Sequence, residues 1–457
     1  MSRRRFLASI ASLAGAAHGK SVIAAGALGA ASAPAAVGAV GAASAPAAVG
    51  ESGAAGAVGE SGAAGAAGAA GAAADPLAAI RARLGPRHAR VWSEPRFELQ
   101  ILYTRIDRNP GAAPTLTHFR YGVTAERWFA PASLVKLPVA ALALEQVGEL
   151  AGLGVNRDSL LSLAAPPPCA QAAAAESESV ARAIRRMFVV SENEPYNRLY
   201  ELLGQDRIHA RLAAIGCPAS RIISRIAPCT PADNRVTGAL EFRSADGRVQ
   251  QRIDARSIDT MRSFPHGSAM KGSAWVERGR MIPGPHDFSE SNFIPLDEAH
   301  RMLMAIVLPE ALPAAQRFAL DAEAHVYLRH CMGMLPAECA DPLYEAKPYP
   351  QTYSKYLLGG SGIASLPAGV RSFNKVGRSY GTLSDCAYIS DTLRGAEFFL
   401  SASLYVHQDE VLNDGQYEYR ETGWPFLAAL GRAALELDAA RPRAHPFVAL
   451  GANGRFA

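Results

Sequence analysis

The chain has 457 residues, 49% hydrophobic and 19% charged, enough apolar content to bury a core, which excludes a wholly disordered chain. Its 46 Lys+Arg against 42 Asp+Glu give a net charge of +4, and the basic residues are scattered instead of forming the stripe that nucleic acid demands. Beyond the N-terminal region no apolar run reaches the ~18 residues of a bilayer-spanning helix, which excludes a polytopic membrane protein.

Ser2-Arg3-Arg4-Arg5-Phe6-Leu7 precedes a weakly apolar Ala/Ser/Leu/Gly stretch, interrupted by Lys20, that reaches Ala33. A twin arginine ahead of such a stretch resembles a twin-arginine export signal, and Ala31-Ser32-Ala33 supplies the small residues a signal peptidase cuts. Residues 1–33 are therefore expected to be an export signal and the mature protein periplasmic or secreted; a basic, unstructured N-terminus is the plainer alternative. Gly-Ala-Ala-Ser-Ala-Pro-Ala-Ala-Val-Gly occurs at 29–38 and again at 41–50, and Glu-Ser-Gly-Ala-Ala-Gly-Ala opens the units at 51 and 60. Without large side chains such a tract cannot offset its ordering entropy, so 34–74 is expected to be an Ala/Gly-rich disordered linker. The folded domain is expected over 75–457, from Asp75-Pro76 onward, and as a monomer.

Phe97 to Tyr103 is rich in strand formers, Asn109-Pro110-Gly111 is a turn signal, and Thr115 to Tyr121 returns, so 97–122 predicts a hairpin. Ser133 opens a helix to about Leu150, with Leu134, Leu137, Ala141 and Leu144 on one face. Helices are expected at about 176–190, 195–203 (ending at Gly204) and 206–215. A second hairpin is expected near 239–254 around Asp246-Gly247, with helices at 297–308 and 314–333 beyond it. Val370–Lys375, Ala387–Ser390 and Glu397–Val406 read as strands, and Gly423 to Leu437 as a closing helix. Strands at both ends with helices between predict an α+β arrangement whose sheet gathers N- and C-terminal segments.

The six cysteines, Cys169, Cys217, Cys229, Cys331, Cys339 and Cys386, contain no C-x-x-C pair, so neither zinc nor a dithiol redox couple is indicated. Cys331–Cys339 and Cys217–Cys229 are the nearest in sequence for disulfides, with connectivity open and buried thiols expected for some. The eleven histidines, among them His266, His286, His300, His325 and His330, show no H-x-x-x-H spacing. His407-Gln408-Asp409-Glu410 reads as a polar loop after an apolar strand, with no assigned role.

Ser133-Leu134-Val135-Lys136 puts a serine one helical turn from a lysine among apolar neighbours. At i, i+3 the two side chains share a face, and a desolvated lysine can take the proton that a serine must lose to become a nucleophile. The same spacing recurs at Ser268–Lys271 and Ser372–Lys375, but only Ser133 opens a helix, where backbone N–H groups favour developing negative charge. Two further motifs follow in order, Ser191-Glu192-Asn193 and Lys375-Val376-Gly377. Each residue also has a plain structural use: a snorkelling Lys136, an N-capping Ser191, a strand-end charge at Lys375.

The ordered set resembles the class A β-lactamase type of penicillin-interacting serine hydrolase, whose signature is S-x-x-K, S-D-N and K-T-G. Phe129-Ala130-Pro131-Ala132 before Ser133, and Tyr380-Gly381 with Asp385-Cys386-Ala387-Tyr388-Ile389, extend it over most of 95–437, with extra material at 239–290 and 330–365. The resemblance implies a β-lactamase/transpeptidase-like α+β fold, an antiparallel sheet flanked by helices plus an all-helical lobe. It implies Ser133 as nucleophile, Lys136 as base, Ser191 as proton relay, Asn193 as orienter and Lys375 as cation for a substrate carboxylate. The backbone N–H groups of Ser133 and Arg378 would form the oxyanion hole, and Gly377, Arg378 and Thr382 would line the substrate. The substrate would be a small-molecule β-lactam or a peptidoglycan-derived amide, opened through a Ser133 acyl-enzyme without metal or organic cofactor. A D-Ala-D-Ala carboxypeptidase, an esterase, or a penicillin-binding sensor without turnover are the alternatives. Glu replaces Asp at 192 and Val replaces Thr at 376. Thr230 stands where the family carries the glutamate that activates the deacylating water, leaving Asp233 or Glu241 as substitutes and acylation better supported than turnover.

Overall fold

The computed structural model describes residues 75–169, 176–259, 262–263, 269–360 and 365–456. The expected export signal and linker lie outside the described residues, as do Ser268 and His266.

Asp75 caps the first helix, α1 (Pro76–Arg83), by accepting from Leu77 N at 3.0 Å, and α2 (Pro86–Ser93) follows. The sequence reading did not mark either helix. The N-terminal hairpin forms as β1 (Gln100–Asn109) and β2 (Ala112–Tyr121). A 3-10 turn over Ala132–Val135 runs into α3 (Lys136–Glu149), so Ser133 sits on the tighter turn and not on the α-helix itself. Next come β3 (Leu160–Ala165), β4 (Glu178–Ser179), α4 (Val180–Val189) and α5 (Glu194–Ala214), two helical segments that meet at a kink where Gly204 takes φ 67° and ψ 160°, the position expected to end a helix. The one-turn α6 (Pro231–Asn234) precedes the second expected hairpin, β5 (Ala239–Arg243) and β6 (Val249–Ile253). Short strands β7 (Met270–Lys271), β8 (Ala274–Glu277), β9 (Arg280–Pro283) and β10 (His286–Asp287) lead to α7 (Leu296–Val307).

The helix expected over 314–333 is broken. Only a 3-10 turn forms at Ala314–Gln316, and the helix α8 (Ala322–Gly333) starts afresh where the Asp321 carboxylate accepts from Ala324 N at 2.7 Å. The chain closes with α9 (Tyr356–Gly359), β11 (Val370–Ser379), β12 (Thr382–Asp391), β13 (Ala396–Tyr405), β14 (Val411–Leu412) and α10 (Trp424–Ala439).

The main sheet has the order β11-β12-β13-β1-β2 with every neighbour antiparallel, so β13 joins the chain's two ends through pairs such as Gln100↔Ser403. Alternate residues of β1 serve opposite faces: Ile101 and Tyr103 pack with Leu427 and Leu430 of α10, while Leu102 and Ile106 join Leu137 of α3 and Leu303 of α7. Strands β12 and β13 are covered on both sides, and all ten residues of each are buried. The helical lobe, built around α3, α4 and α5, also carries a four-stranded sheet, β4-β3-β5-β6.

A disulfide joins Cys169 to Cys229, while Cys217, Cys331, Cys339 and Cys386 are buried thiols. Neither of the pairs nearest in sequence forms. The bond ties the segment after β3 to the turn before α6, two stretches that the β3–β5 pairing already brings together.

No helix among the described residues is long and apolar enough to cross a membrane. Helix α10 lies so close to α9 that a Cβ on Gly431 would collide with the Leu357 carbonyl oxygen. Both partners are backbone, which cannot rotate away. Gly431→Ala is expected to lower stability by about 3 kcal/mol, read as a fall in the urea midpoint at unchanged m value.

Candidate active site

The approach to Ser133 is held by aromatic packing. Trp128 stacks on Phe288 with centroids 4.3 Å apart, and Phe129 meets Phe293 edge-on at 5.9 Å. Ala132 then takes φ 45°, which turns the chain sharply before Ser133. A non-glycine residue in that region costs on the order of 1–3 kcal/mol and persists only where surrounding structure enforces it. Ser191, Tyr380 and Asn413, with φ of 65°, 48° and 63°, share the feature and line the same cleft as Ala132.

Lys136 opens α3, the most enclosed helix of the lobe, and is fully buried. Its Nζ lies 2.9 Å from Ser133 Oγ, 2.7 Å from Asn193 Oδ1, 2.5 Å from the Ser191 carbonyl oxygen and 3.3 Å from Ser191 Oγ. Burial first, and then the positive charge of Lys375, hold this amine well below the ordinary lysine range, against the pull of Glu192. A neutral amine has two N–H groups and one lone pair. With the N–H groups spent on the Ser191 carbonyl and Asn193 Oδ1, the lone pair is left for the Ser133 hydroxyl. The snorkelling use of Lys136 is thereby replaced by full burial.

Lys375 comes from β11, the edge strand of the main sheet, and donates to Ser191 Oγ at 2.9 Å and to the Val376 carbonyl at 3.0 Å. Burial brings its pKa down to about 7 despite the favourable charge of Asp385. The Ser191 hydroxyl therefore stands between two buried amines. It does not cap α5; the capping position falls to Asn193, whose side chain faces Lys136 instead. Glu192 turns away to Arg186 at 2.6 Å and Tyr344 Oη at 2.7 Å, a structural role that either acidic residue type can fill.

Strand β11 approaches the turn at Ser133 closely. A Cβ on Gly377 would strike the Pro131 carbonyl oxygen, so only glycine lets Arg378 and Ser133 face one cleft. The Arg378 guanidinium rests 5.6 Å from the Trp424 ring and 6.0 Å from the Tyr419 ring. Thr382 is buried at the start of β12 and does not line the cleft. The other serine–lysine spacing, Ser372–Lys375, lies on a strand, where three residues apart means opposite faces, and Ser372 is buried.

The cleft has a volume of about 340 Å³, the size of a small-molecule site, and runs between the helical lobe and β11. Sequence reasoning missed much of its lining: Ser224, Arg225, Ile226, Phe288, Asn292, Tyr353, Tyr356, Tyr417 and Tyr419. Arg225 is an anchor. Fully buried, it pairs with Glu201 at 2.5 Å and donates to the Asp233 and Val236 carbonyls, and the Asn234 amide oxygen accepts from its backbone N–H. Removing one partner of such a pair typically costs about 3–5 kcal/mol.

Neither substitute for the water-activating glutamate reaches the cleft. Thr230 and Asp233 spend their side chains on each other in a capping box that starts α6. Glu241 pairs on β5 with Arg243 at 2.5 Å and Arg252 at 3.7 Å. Among the described residues no carboxylate lines the cleft.

Solved structures similar to this chain include a β-lactamase from Desulfarculus baarsii (16% identity, 80% of this chain and 98% of that one, TM-score 0.44). A β-lactamase from Burkholderia ambifaria (14%, 78% and 99%, TM-score 0.43) and PBP-A (14%, 79% and 96%, TM-score 0.43) are others. A search of curated proteins finds no match. Residues 112–258 match the model of the β-lactamase enzyme family, a stretch that contains Ser133, Lys136, Ser191 and Asn193. Over that stretch the chain is similar to the β-lactamase enzyme family.

Proposed function

We propose that the protein is a serine hydrolase that opens a β-lactam, or a related D-alanyl amide from peptidoglycan, by acylation on Ser133. The observation that carries the reading is the fully buried Lys136 amine 2.9 Å from Ser133 Oγ. As Ser133 Oγ bonds to the carbonyl carbon, its proton passes to the Lys136 lone pair and the carbonyl electrons move onto oxygen. The backbone N–H groups of Ser133 and Arg378 receive that oxyanion. When the C–N bond breaks, its electron pair goes to nitrogen, which takes the Ser191 hydroxyl proton, and Lys136 refills Ser191. The Arg378 cation in the cleft lining receives the substrate carboxylate, with the buried Lys375 adding positive charge behind the Ser191 hydroxyl, while β11, an edge strand, offers main-chain groups to an extended substrate. With Val at 376 the adjoining wall is apolar.

A second reading of the same site is favoured by the carboxylate-free lining: an acyl-protein that persists, as in a slow peptidase or a penicillin-binding sensor. Without a carboxylate to take a proton from water, the ester formed on Ser133 is hydrolysed slowly. Export to an oxidising compartment is part of the proposal, supported by the Cys169–Cys229 disulfide.

Fluorescent penicillin followed by an unlabelled chase tests the reaction. Wild-type and Ser372→Ala protein should label, Ser133→Ala should not, and Lys136→Ala should label ~10³-fold more slowly. Labelling of the folded Ser133→Ala variant would overturn the assignment. Label that outlasts the chase supports the persistent acyl-protein, and label that fades as fast as it forms supports a lactamase.

The two amines predict a bell-shaped pH dependence for the second-order acylation constant. The rising limb belongs to deprotonation of Lys136, well below ordinary lysine, and the falling limb, near pH 7, to loss of the Lys375 cation. A constant that climbs steadily into the ordinary lysine range near 10.5 would remove Lys136 as a pre-formed neutral base.

A further inference from the structure

Beyond β13 the chain from His407 to Glu418 loops back, and Asn413, Gly415 and Tyr417 from this loop form part of the cleft wall. Over those residues it carries Asp409, Glu410, Asp414 and Glu418 with no lysine or arginine between them. We propose that His407, Asp409 and Asp414 bind a divalent cation of the zinc class that fixes this wall.

The three side chains bring one imidazole nitrogen and two carboxylate oxygens within 4.8 Å of one another. His407 Nε2 is 2.9 Å from Asp409 Oδ1, somewhat under the ~3.4 Å that separates two tetrahedral ligands about 2.1 Å from a shared zinc ion. The imidazole side chain is 0% exposed, and its Nε2 has no aligned hydrogen-bond partner. A buried ring nitrogen aimed at two acids is costly unless something satisfies it.

The rest of the ring's surroundings suit a ligand. His407 Nδ1 is 3.0 Å from Tyr405 Oη, and the tautomer with its N–H on Nδ1 donates to the phenol oxygen and leaves the Nε2 lone pair outward. Tyr417 packs against the ring at 4.7 Å and fixes its plane. Asp409 Oδ1 accepts from Val411 N at 3.1 Å and Asp414 Oδ1 from Gln416 N at 2.8 Å, so both carboxylates are anchored to the loop before any ion arrives. One nitrogen with two oxygens fits zinc, or cobalt in its place, better than the all-oxygen preference of calcium or magnesium. Water completes the sphere. The spacing H-x-D-x₄-D follows no helical metal motif, and the three residues meet only because the loop folds back on Tyr405.

The cation takes no part in the acyl chemistry, and the proposal stands whether or not Ser133 is acylated. Tag-free, chelator-stripped protein titrated with zinc chloride in a calorimeter is expected to bind one equivalent and to gain about 3 °C in melting midpoint. Cobalt should give visible d–d absorption at the same stoichiometry. The Asp409→Asn/Asp414→Asn double variant, altered only at solvent-accessible carboxylates, should fold with the unliganded wild-type midpoint yet lose the equivalent, the cobalt spectrum and the thermal gain. His407→Gln should lose them too. Absence of stoichiometric zinc binding by wild type, or its survival in the folded double variant, would overturn the proposal.

Discussion

An ammonium deprived of water is the constraint on which the rest of the molecule depends. Lys136 and Lys375 are both buried and both contact the Ser191 hydroxyl; burial makes each costly to charge, and the Lys375 charge adds to that cost at Lys136. In water a lysine is protonated near neutrality and useless as a base; stripped of solvent and placed beside a second cation, it becomes the neutral partner that a serine needs. Asp385, itself raised to about 6 by burial, offsets part of that cost at Lys375 and keeps it the more readily charged of the two. One amine suits proton abstraction and the other suits carboxylate recognition, because of one nearby carboxylate.

Holding that pair requires rigid surroundings from three separate parts of the chain. Helix α3 supplies enclosure, since its residues from Lys136 to Val147 are all buried. The turn after α4 brings Ser191 and Asn193, with Glu192 tied outward to Arg186. Strand β11 brings Lys375, and Gly377 permits its approach. Each junction carries one positive-φ residue, Ala132, Ser191 and Tyr380 in turn, and backbone strain there is the cost of aiming side chains from three directions into one space.

Much of this was legible in the sequence, for identifiable reasons. The strands of the main sheet and the helices α3, α4 and α7 carry local periodicity or turn signals, and Ser133, Lys136, Ser191, Asn193 and Lys375 could be singled out as neighbours because short motifs hold them at fixed offsets. The 3-10 turn at Ser133 escaped notice because hydrophobic spacing does not separate it from the first turn of an α-helix. The break before α8 was hidden because Ala314–Gln316 continues the apolar pattern, while the Asp321 cap that restarts the helix is a single residue. Arg225–Glu201, the disulfide and the gathering of tyrosines along the cleft are long-range arrangements with no local signature. Asp233 and Glu241 looked available for chemistry because their neighbours in sequence do not disclose the partners that occupy them in space.

The pairing of β1 with β13 has a bearing on how the protein comes into being. Gln100 meets Ser403, so the first long strand emerges from the ribosome roughly 300 residues before its central neighbour. At about 10 residues per second that is half a minute during which the hairpin of β1 and β2 has a naked flank. Contacts so distant along the chain also slow the search for the native state, since loop closure precedes the gain from pairing. The nascent N-terminal third is thus a natural client for chaperones, and its protection ends only when the C-terminal strands arrive to cover it.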